Sequence, residues 1–384
     1  MRLIHTADIH LDTSFAASGM PVACANRRRQ GLRDVFHAIV ERARIWPADA
    51  LLIAGDLFEL DRVSRDTVAF LQREFAYLAP IPVFLAPGNH DPYVPESPYA
   101  TETWPPNVHI FRTSAWSSVE TEDIPLTVHG FAFDGLDISA NPFGALRPQQ
   151  DGRVHIAVAH GSERSHQPPD KQAYAPFHAV EAACPGLTYL ALGHFHAATP
   201  ITGPFTTSMW YSGMPEGRGF NDLGLRHYLE VDISDGIVRV EPMASSRVVY
   251  QAHTLSCSAF TTSQQLIEAL RALPRNDGRG AMARVTLTGT AAAAWRGSID
   301  AIRDAASSAF EHLDLIDRTE PEEDFVALGR DRTVLGLFTE RMNEEIRDTS
   351  DPVRRAMLLR ARELGVAAYR GRNLFLADAP ENAP

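Results

Sequence analysis

Of the 384 residues only three are cysteines, Cys24, Cys184 and Cys257. They lie far apart with no paired ligand spacing, which excludes a disulfide framework and a thiolate zinc site. Lysine is scarcer still: Lys171 is the only one, so arginine carries nearly all the basic charge. No apolar run reaches the length of a membrane span, and neither an internal repeat nor a low-complexity tract breaks the chain. Met1 and Arg2 lead straight into Leu3 and Ile4, an apolar strand rather than a signal peptide, so a cytoplasmic protein with no membrane association is expected. A basic surplus is also missing. The net charge of -12 and a sequence pI near 5.7 argue against clinging to nucleic acid through the whole surface. They leave room for a nuclease, because metal-binding carboxylates count as negative in that sum and become positive once metal is bound.

What is present reads as soluble globular protein, with 45% hydrophobic and 22% charged residues, long enough for two domains. Arg2 to Ala7, Ala50 to Ala54 and Val83 to Ala86 read as buried strands. Between them stand amphipathic helices, one carrying Leu32, Val35, Phe36, Ile39, Val40 and Ala43 after Arg27 to Arg29, the other Val68, Leu71, Phe75 and Leu78. Strand and helix in alternation predict a parallel sheet. Short strands follow over Val108 to Phe133, then buried strands at Val154 to Ala159 and Leu187 to Leu192, and a strand pair turning at Asp235 and Gly236. Leu11 to Asn26 is expected to be loop, and the Arg27 to Arg29 run a solvated helix start.

Chemistry collects where these strands stop. The first delivers Asp8 and His10, the second Gly55 and Asp56, and the third Pro87, Gly88, Asn89, His90 and Asp91. The strands at 154 and 187 end in His160 and in Gly193, His194, Phe195, His196. The carboxyl edge of such a sheet is where ligands bind. Asp8 with His10, and His194 with His196, are each separated by one residue, so in extended backbone each pair aims to one side. Each cluster alone has an ordinary reading, as a cap or a turn. Five independent strands all ending in metal-ligand residues is a joint signal. Carboxylate, imidazole and amide oxygen donors without thiolate suit manganese, iron or zinc, and so many ligands are too many for one ion and fit two sharing one carboxylate.

This order of residues resembles the calcineurin-like metallophosphoesterases and, within them, the DNA repair exonuclease branch of the SbcD and YhaO type. The branch resemblance rests on His10 to Phe15, Gly55 to Phe58, Gly193 to His196, and Tyr211 to Glu216. It implies an α/β fold, a metallophosphoesterase β-sandwich flanked by helices, followed by a smaller C-terminal α+β capping module. It also implies that Asp8, His10, Asp56 and His196 hold one divalent ion and that Asp56, Asn89, His160 and His194 hold a second, manganese before iron or zinc. His90 matches the non-ligand catalytic histidine, which protonates the leaving oxygen or stabilises charge on the phosphoryl group, with Asp91 placed to orient it or to form the turn. Two such ions can activate water and clamp phosphoryl oxygens during in-line displacement. One departure stands out: Gly217 separates Glu216 from Arg218 where the family loop is tighter, so the resemblance carries no phosphate contact over to Arg218.

The expected division is a nuclease domain over 1–247, a small α+β module over 248–320 and a C-terminal helical region over 321–384. That region contains helices at Thr333 to Ile346 and Pro352 to Leu364. The leading functional expectation is a metal-dependent DNA exonuclease acting on ends or single strands, with a coiled-coil ATPase partner and a homodimer as further expectations from the resemblance. A phosphodiesterase or phosphatase for small molecules or phosphoproteins is the alternative within the same chemistry. A scaffold for the ATPase partner is the alternative outside it, disfavoured because no ligand position is substituted.

Overall fold

The first strand decides the architecture. In β1 (Arg2–Thr6) Leu3 and Ile4 face opposite sides and both are fully buried, so its sheet must be covered on both faces. The computed structural model, which describes residues 1–15, 20–167, 172–275 and 278–371, supplies both covers. β1 runs parallel with β2 (Ala50–Ile53), β3 (Val83–Leu85) and β4 (Val108–Ile110). A second sheet contains β5 (Ser117–Glu120), β6 (Leu126–Gly130), β7 (Val154–His160), β8 (Leu187–Gly193), β9 (Thr199–Ile201) and β10 (Ser208–Tyr211), in the order β5-β6-β7-β8-β10-β9. The hairpin of β11 (His227–Ser234) and β12 (Ile237–Ala244) turns at Asp235 and Gly236, both at positive φ, and extends the first sheet antiparallel beside β1.

Between the sheets, Leu3, Leu52 and Phe84 meet Val128, Ile156, Val158 and Ala191. The other face of the first sheet is closed by α1 (Val22–Ile45) and α2 (Arg65–Leu78), whose Phe36, Leu71 and Phe75 bury Ile4, Leu51 and Ile53. The other face of the second sheet is closed by Phe131, Phe143 and Phe177. The result is the helix-flanked β-sandwich that the sequence led us to expect. Ser64 caps α2 by accepting from the Thr67 amide, and the run of apolar positions in α2 fixes its inward face.

Two local expectations need correction. Helix α1 begins at Val22, inside the expected loop, and it contains Arg28, which is buried rather than solvated. Its guanidinium is neutralised by Glu216 at 2.6 Å, a partner too distant in sequence to be read from the arginine run. Further on, β13 (Val248–Ser256) occupies the stretch read as an exit from the first domain. With β14 (Gly280–Thr288), the short β15 (Thr290–Ala291), β16 (His312–Asp317) and β17 (Glu320–Pro321), it completes the strand set among the described residues. The sequence from Ile299 to His312 reads as one helix, but the helix ends at Ala306 and β16, which alternates Leu313 with polar residues, begins at His312.

The chain forms two compact units, Met1–Leu255 with Ile267–Thr286 and Asp300–Ile316, and Ser256–Leu266 with Leu287–Ile299 and the chain from Asp317 on. The second unit ends in helices Val334–Asp348 and Pro352–Tyr369, started by Thr333 and Asp351, whose side chains accept backbone amides. Leu328, Leu335 and Val366 form the core between them. Residues 372–384 of the expected helical region lie outside the described residues. No described helix is long and apolar enough to cross a membrane.

Candidate metal centre

The strand ends meet at one place. The amide of Asp8 donates to the Gly55 carbonyl at 3.1 Å and that of His10 to the Asp56 carbonyl at 2.9 Å, so the chain leaving β1 is bonded to the chain leaving β2. Asp8, His10, Asp56 and His194 all adopt positive φ, at 53°, 49°, 53° and 113°. Non-glycine residues in that region are strained and persist only where the surroundings over-determine them. Asp8 and His10 therefore do not converge through extended backbone, as their spacing suggested. They lie beyond the last residue of β1 and are turned inward by two left-handed residues. His194 and His196 likewise diverge: the His194 ring lies 5.2 Å from that of His160, and the His196 ring 5.7 Å from that of His10.

Gly55 and Gly88 leave room for this convergence. A Cβ on Gly88 would strike Asp56 Oδ1, and one on Gly55, itself at φ 87°, would strike the His160 ring. Ligand atoms of Asp8, His10 and His196 lie within 4.8 Å of one another, as do those of His10, Asp56 and His90 and those of Asp8, Asp56 and His160. Asp56 Oδ2 is 3.6 Å from His10 Nε2 and 3.4 Å from His160 Nε2, which places it between the two halves of the cluster. Asn89 Oδ1 is 3.1 Å from His160 Nε2. His194 joins none of these triplets by side chain, but its backbone N–H donates to Asp8 Oδ2 at 3.0 Å.

The histidines are oriented as metal ligands are. Nδ1 of His160 faces the Ala54 carbonyl at 2.9 Å, Nδ1 of His10 faces Glu59 Oε1 at 2.9 Å, and Nδ1 of His196 faces Asp222 Oδ1 at 3.2 Å. With Nδ1 so held, Nε2 of each ring faces the cluster, that of His160 beside Asn89 Oδ1 and that of His196 3.4 Å from Arg218 Nη2, the arrangement that supports metal ligation from behind. His10 Nε2 is buried and has no hydrogen-bond partner among the described residues. A buried imidazole nitrogen facing two carboxylates and lacking a partner is a costly arrangement for a protein alone, and one that a cation relieves. On this test the residues fit a divalent ion.

The electrostatics follow the burial. Complete burial drives the His10 pKa down to about 4; Arg218 adds to this, and the bond to Glu59 opposes it without prevailing. His194 is lowered to about 4 by burial and by His160. Burial works against ionisation of Asp56 and of Glu59. The His160, His10 and His90 charges outweigh it at Asp56, and the hydrogen bonds from His10 and His90 do so at Glu59, so both carboxylates are held below their ordinary range. The same Glu59 lifts His90 to about 9, because the His90 side chain is 43% exposed and burial there is the weaker effect.

Glu59 was not read from the sequence, although it directly follows the Gly55 to Phe58 run. One oxygen holds His10 Nδ1 and accepts from Arg218 Nη1 at 3.2 Å; the other holds His90 Nδ1 at 2.8 Å. Of the two roles expected of Asp91, its bonds fit the turn and not the orientation of His90. Asp91 is fully buried and accepts from the backbone N–H groups of Asp56, Leu57 and Gly88 and from Tyr99 Oη, at 2.7 to 2.9 Å. Its oxygens tie the second and third strand ends together and do not reach the imidazole. Burial, followed by the nearby Asp56, pushes its pKa up. Asp222, which supports His196, is 26 residues away in sequence and gave no local signal.

Residues 1–198, more than half of the chain, match the Calcineurin-like phosphoesterase family, and the chain belongs to that family. It is accordingly a metallophosphoesterase, a class that uses a dimetal site, and the clusters above are candidate ligand groups for one. Among individual proteins it is similar to the uncharacterized metallophosphoesterase YhaO of Bacillus subtilis (strain 168), with 26% identity over 303 residues, covering 76% of this chain and 72% of that one. Two solved structures also align. One is TT1561 of Thermus thermophilus, at 13% identity and a TM-score of 0.38, covering 63% of this chain and 98% of that one. The other is a dimetal phosphatase from Danio rerio, at 9% identity and a TM-score of 0.39, covering 64% and 96%.

Proposed function

We propose that this metallophosphoesterase is a phosphodiesterase that hydrolyses DNA at ends or in single strands, with two divalent ions, manganese first among the candidates. The observation that carries the hydrolytic part of the reading is the partnerless, buried His10 Nε2 between Asp8 and Asp56. Asp8, His10, Asp56 and His196 would hold one ion, and Asp56, Asn89, His160 and His194 the other. When bound, the ions supply an activated water and neutralise charge on the phosphoryl oxygens.

The protein's own part is orientation and proton supply. Glu59 fixes the His90 ring through Nδ1, which leaves Nε2–H as the donor for the leaving oxygen, and the partial exposure of His90 leaves it accessible to substrate. Asp91, through its amide bonds, keeps Asp56 and Gly88 in register, so that Asn89 and His90 are presented together. The DNA part rests on the resemblance of the motifs and on the extra chain beyond the phosphoesterase region, which suits a polymer better than a small ester. A coiled-coil ATPase partner and a cytoplasmic location belong to the same proposal. The competing reading keeps the site and replaces the substrate with a small phosphodiester. Labelled single-stranded and blunt duplex DNA, assayed beside a chromogenic diester, separates them: cleavage of the small diester alone would leave only the competing reading.

A further inference from the structure

A separate hydrogen-bonded chain of side chains crosses the outer face of the second sheet, and the metal centre makes no use of it. Ser118 on β5, His129 on β6 and His155 on β7 are joined end to end. Ser118 Oγ lies 2.7 Å from His129 Nδ1, His129 Nε2 lies 2.9 Å from His155 Nδ1, and His155 Nε2 lies 2.9 Å from Asp151 Oδ1. The far end fixes the direction of every bond. The Arg153 amide, then His155, hold the Asp151 carboxyl below its ordinary range, so Asp151 is ionised and only accepts. With the rings neutral, His155 donates from Nε2 and accepts at Nδ1, His129 does the same, and the donor left for His129 Nδ1 is the Ser118 hydroxyl. Burial first, then His155, holds the His129 pKa down to about 4 against the pull of Asp151, which keeps this ring a neutral acceptor.

Both histidines are buried, while Ser118 at the near end is exposed. Ser118 stands opposite His129 in the antiparallel pairing of β5 with β6. The Thr121 amide donates to the Leu126 carbonyl, and the alternation this sets makes Ser118 and His129 a pair without mutual backbone bonds, the kind whose side chains lie closer. The same alternation turns the Ser118 amide N–H away from β6, on the edge strand of its sheet. A serine nucleophile needs a held base, and an N–H of this kind can face the oxyanion that forms. Trp116 and Glu120, two residues to either side of Ser118, share its face. Trp116 packs on Phe131 and Phe143 and offers an apolar wall, whereas the exposed Glu120 carboxylate repels an anion. The surroundings select an uncharged substrate.

We infer that Ser118 is a nucleophile that takes the acyl group of an uncharged carboxylic ester, with no part for metal. The Ser118 oxygen bonds the carbonyl carbon as its proton passes to His129 Nδ1, and His129 gives its Nε2 proton to His155, whose new charge lies against Asp151. The protons return by the same path to the departing alcohol as its C–O bond breaks. Water then attacks the acyl-serine by the same route, releasing the carboxylic acid and restoring Ser118. The test uses full-length wild type, S118A and D151N, stripped of metal by a chelator, with an alkyl fluorophosphonate as covalent probe and p-nitrophenyl acetate as ester. Fluoride leaves with the serine proton as the Ser118 oxygen bonds phosphorus, so peptide mass spectrometry reads the adduct. Wild type should carry it on Ser118, and D151N, its fold checked by circular dichroism, should label and hydrolyse ester about a hundredfold more slowly. Wild type without an adduct on Ser118 overturns the inference, and so does a folded D151N that labels at the wild-type rate. Should D151N unfold, S118A decides: ester hydrolysis at the wild-type rate overturns the inference, and its loss upholds it.

Discussion

Replacing Glu59 with glutamine tests how much of the centre depends on one carboxylate. The side chain keeps its size, but one acceptor oxygen becomes an NH2 group, which cannot accept from either Nδ1–H. Three groups rely on it: His10 at 2.9 Å, His90 at 2.8 Å and Arg218 at 3.2 Å. At least one histidine must lose its bond, and a hydrogen bond to a charged group is worth about 1.5 to 3 kcal/mol. Through His10, the loss should weaken metal binding about 10- to 100-fold, as removal of a ligand's supporting carboxylate does. Through His90, it should lower turnover further at saturating metal. The assay is a manganese titration by calorimetry, followed by hydrolysis of a chromogenic phosphodiester at saturating manganese. In an H90A background the turnover part of the E59Q effect should vanish while the metal part persists. E59Q with unchanged metal affinity and unchanged turnover would refute the role given to Glu59.

Other consequences are as direct. His5 lies between the sheets with Nδ1 at 2.8 Å from Tyr189 Oη and Nε2 at 3.2 Å from the Leu192 carbonyl, and burial lowers its pKa from 6.5 to about 3. The unfolded chain binds this proton first, so stability should be complete above pH 6.5 and fall as pH drops toward 3, by about 2 kcal/mol at pH 5. Chemical denaturation at pH 7 and pH 5 measures this, and an H5Q protein with the same pH dependence as wild type would contradict it. Truncating Arg28 to alanine leaves Glu216 buried and unpaired, which should cost about 3 to 5 kcal/mol; a melting temperature within a degree of wild type would remove the pair from the account. G88A pushes a methyl group into Asp56 Oδ1 and should lose metal while keeping its secondary structure, read by metal analysis beside circular dichroism.

Much of this centre is legible in the sequence because strand ends are local. Asp8, His10, Asp56, Asn89, His90, His160, His194 and His196 each follow an apolar run closely enough to be found by reading along the chain. What supports them is not local. Glu59 is bonded to a histidine 49 residues before it and to another 31 residues after it, Asp222 serves His196, and Arg28 meets Glu216 across 188 positions. No pattern within a window of ten residues carries such pairs. The backbone device was hidden as well: a spacing of two suggests extended chain, whereas Asp8 and His10 converge by positive φ, in a segment bonded to Gly55 and Asp56. In the fold, strands with fully apolar faces were plain, while β13 and β16, half polar, merged with their surroundings.

The most direct measurement of the central claim is the metal content and phosphodiester hydrolysis of wild type, D56A and H90A, prepared identically with manganese. Asp56 lies between both halves of the cluster, and the proposed function keeps His90 out of the ligand set. Wild type should hold two ions per chain and turn over; D56A should lose metal and activity together; H90A should keep both ions and lose turnover. Full metal occupancy and activity in D56A would contradict the account.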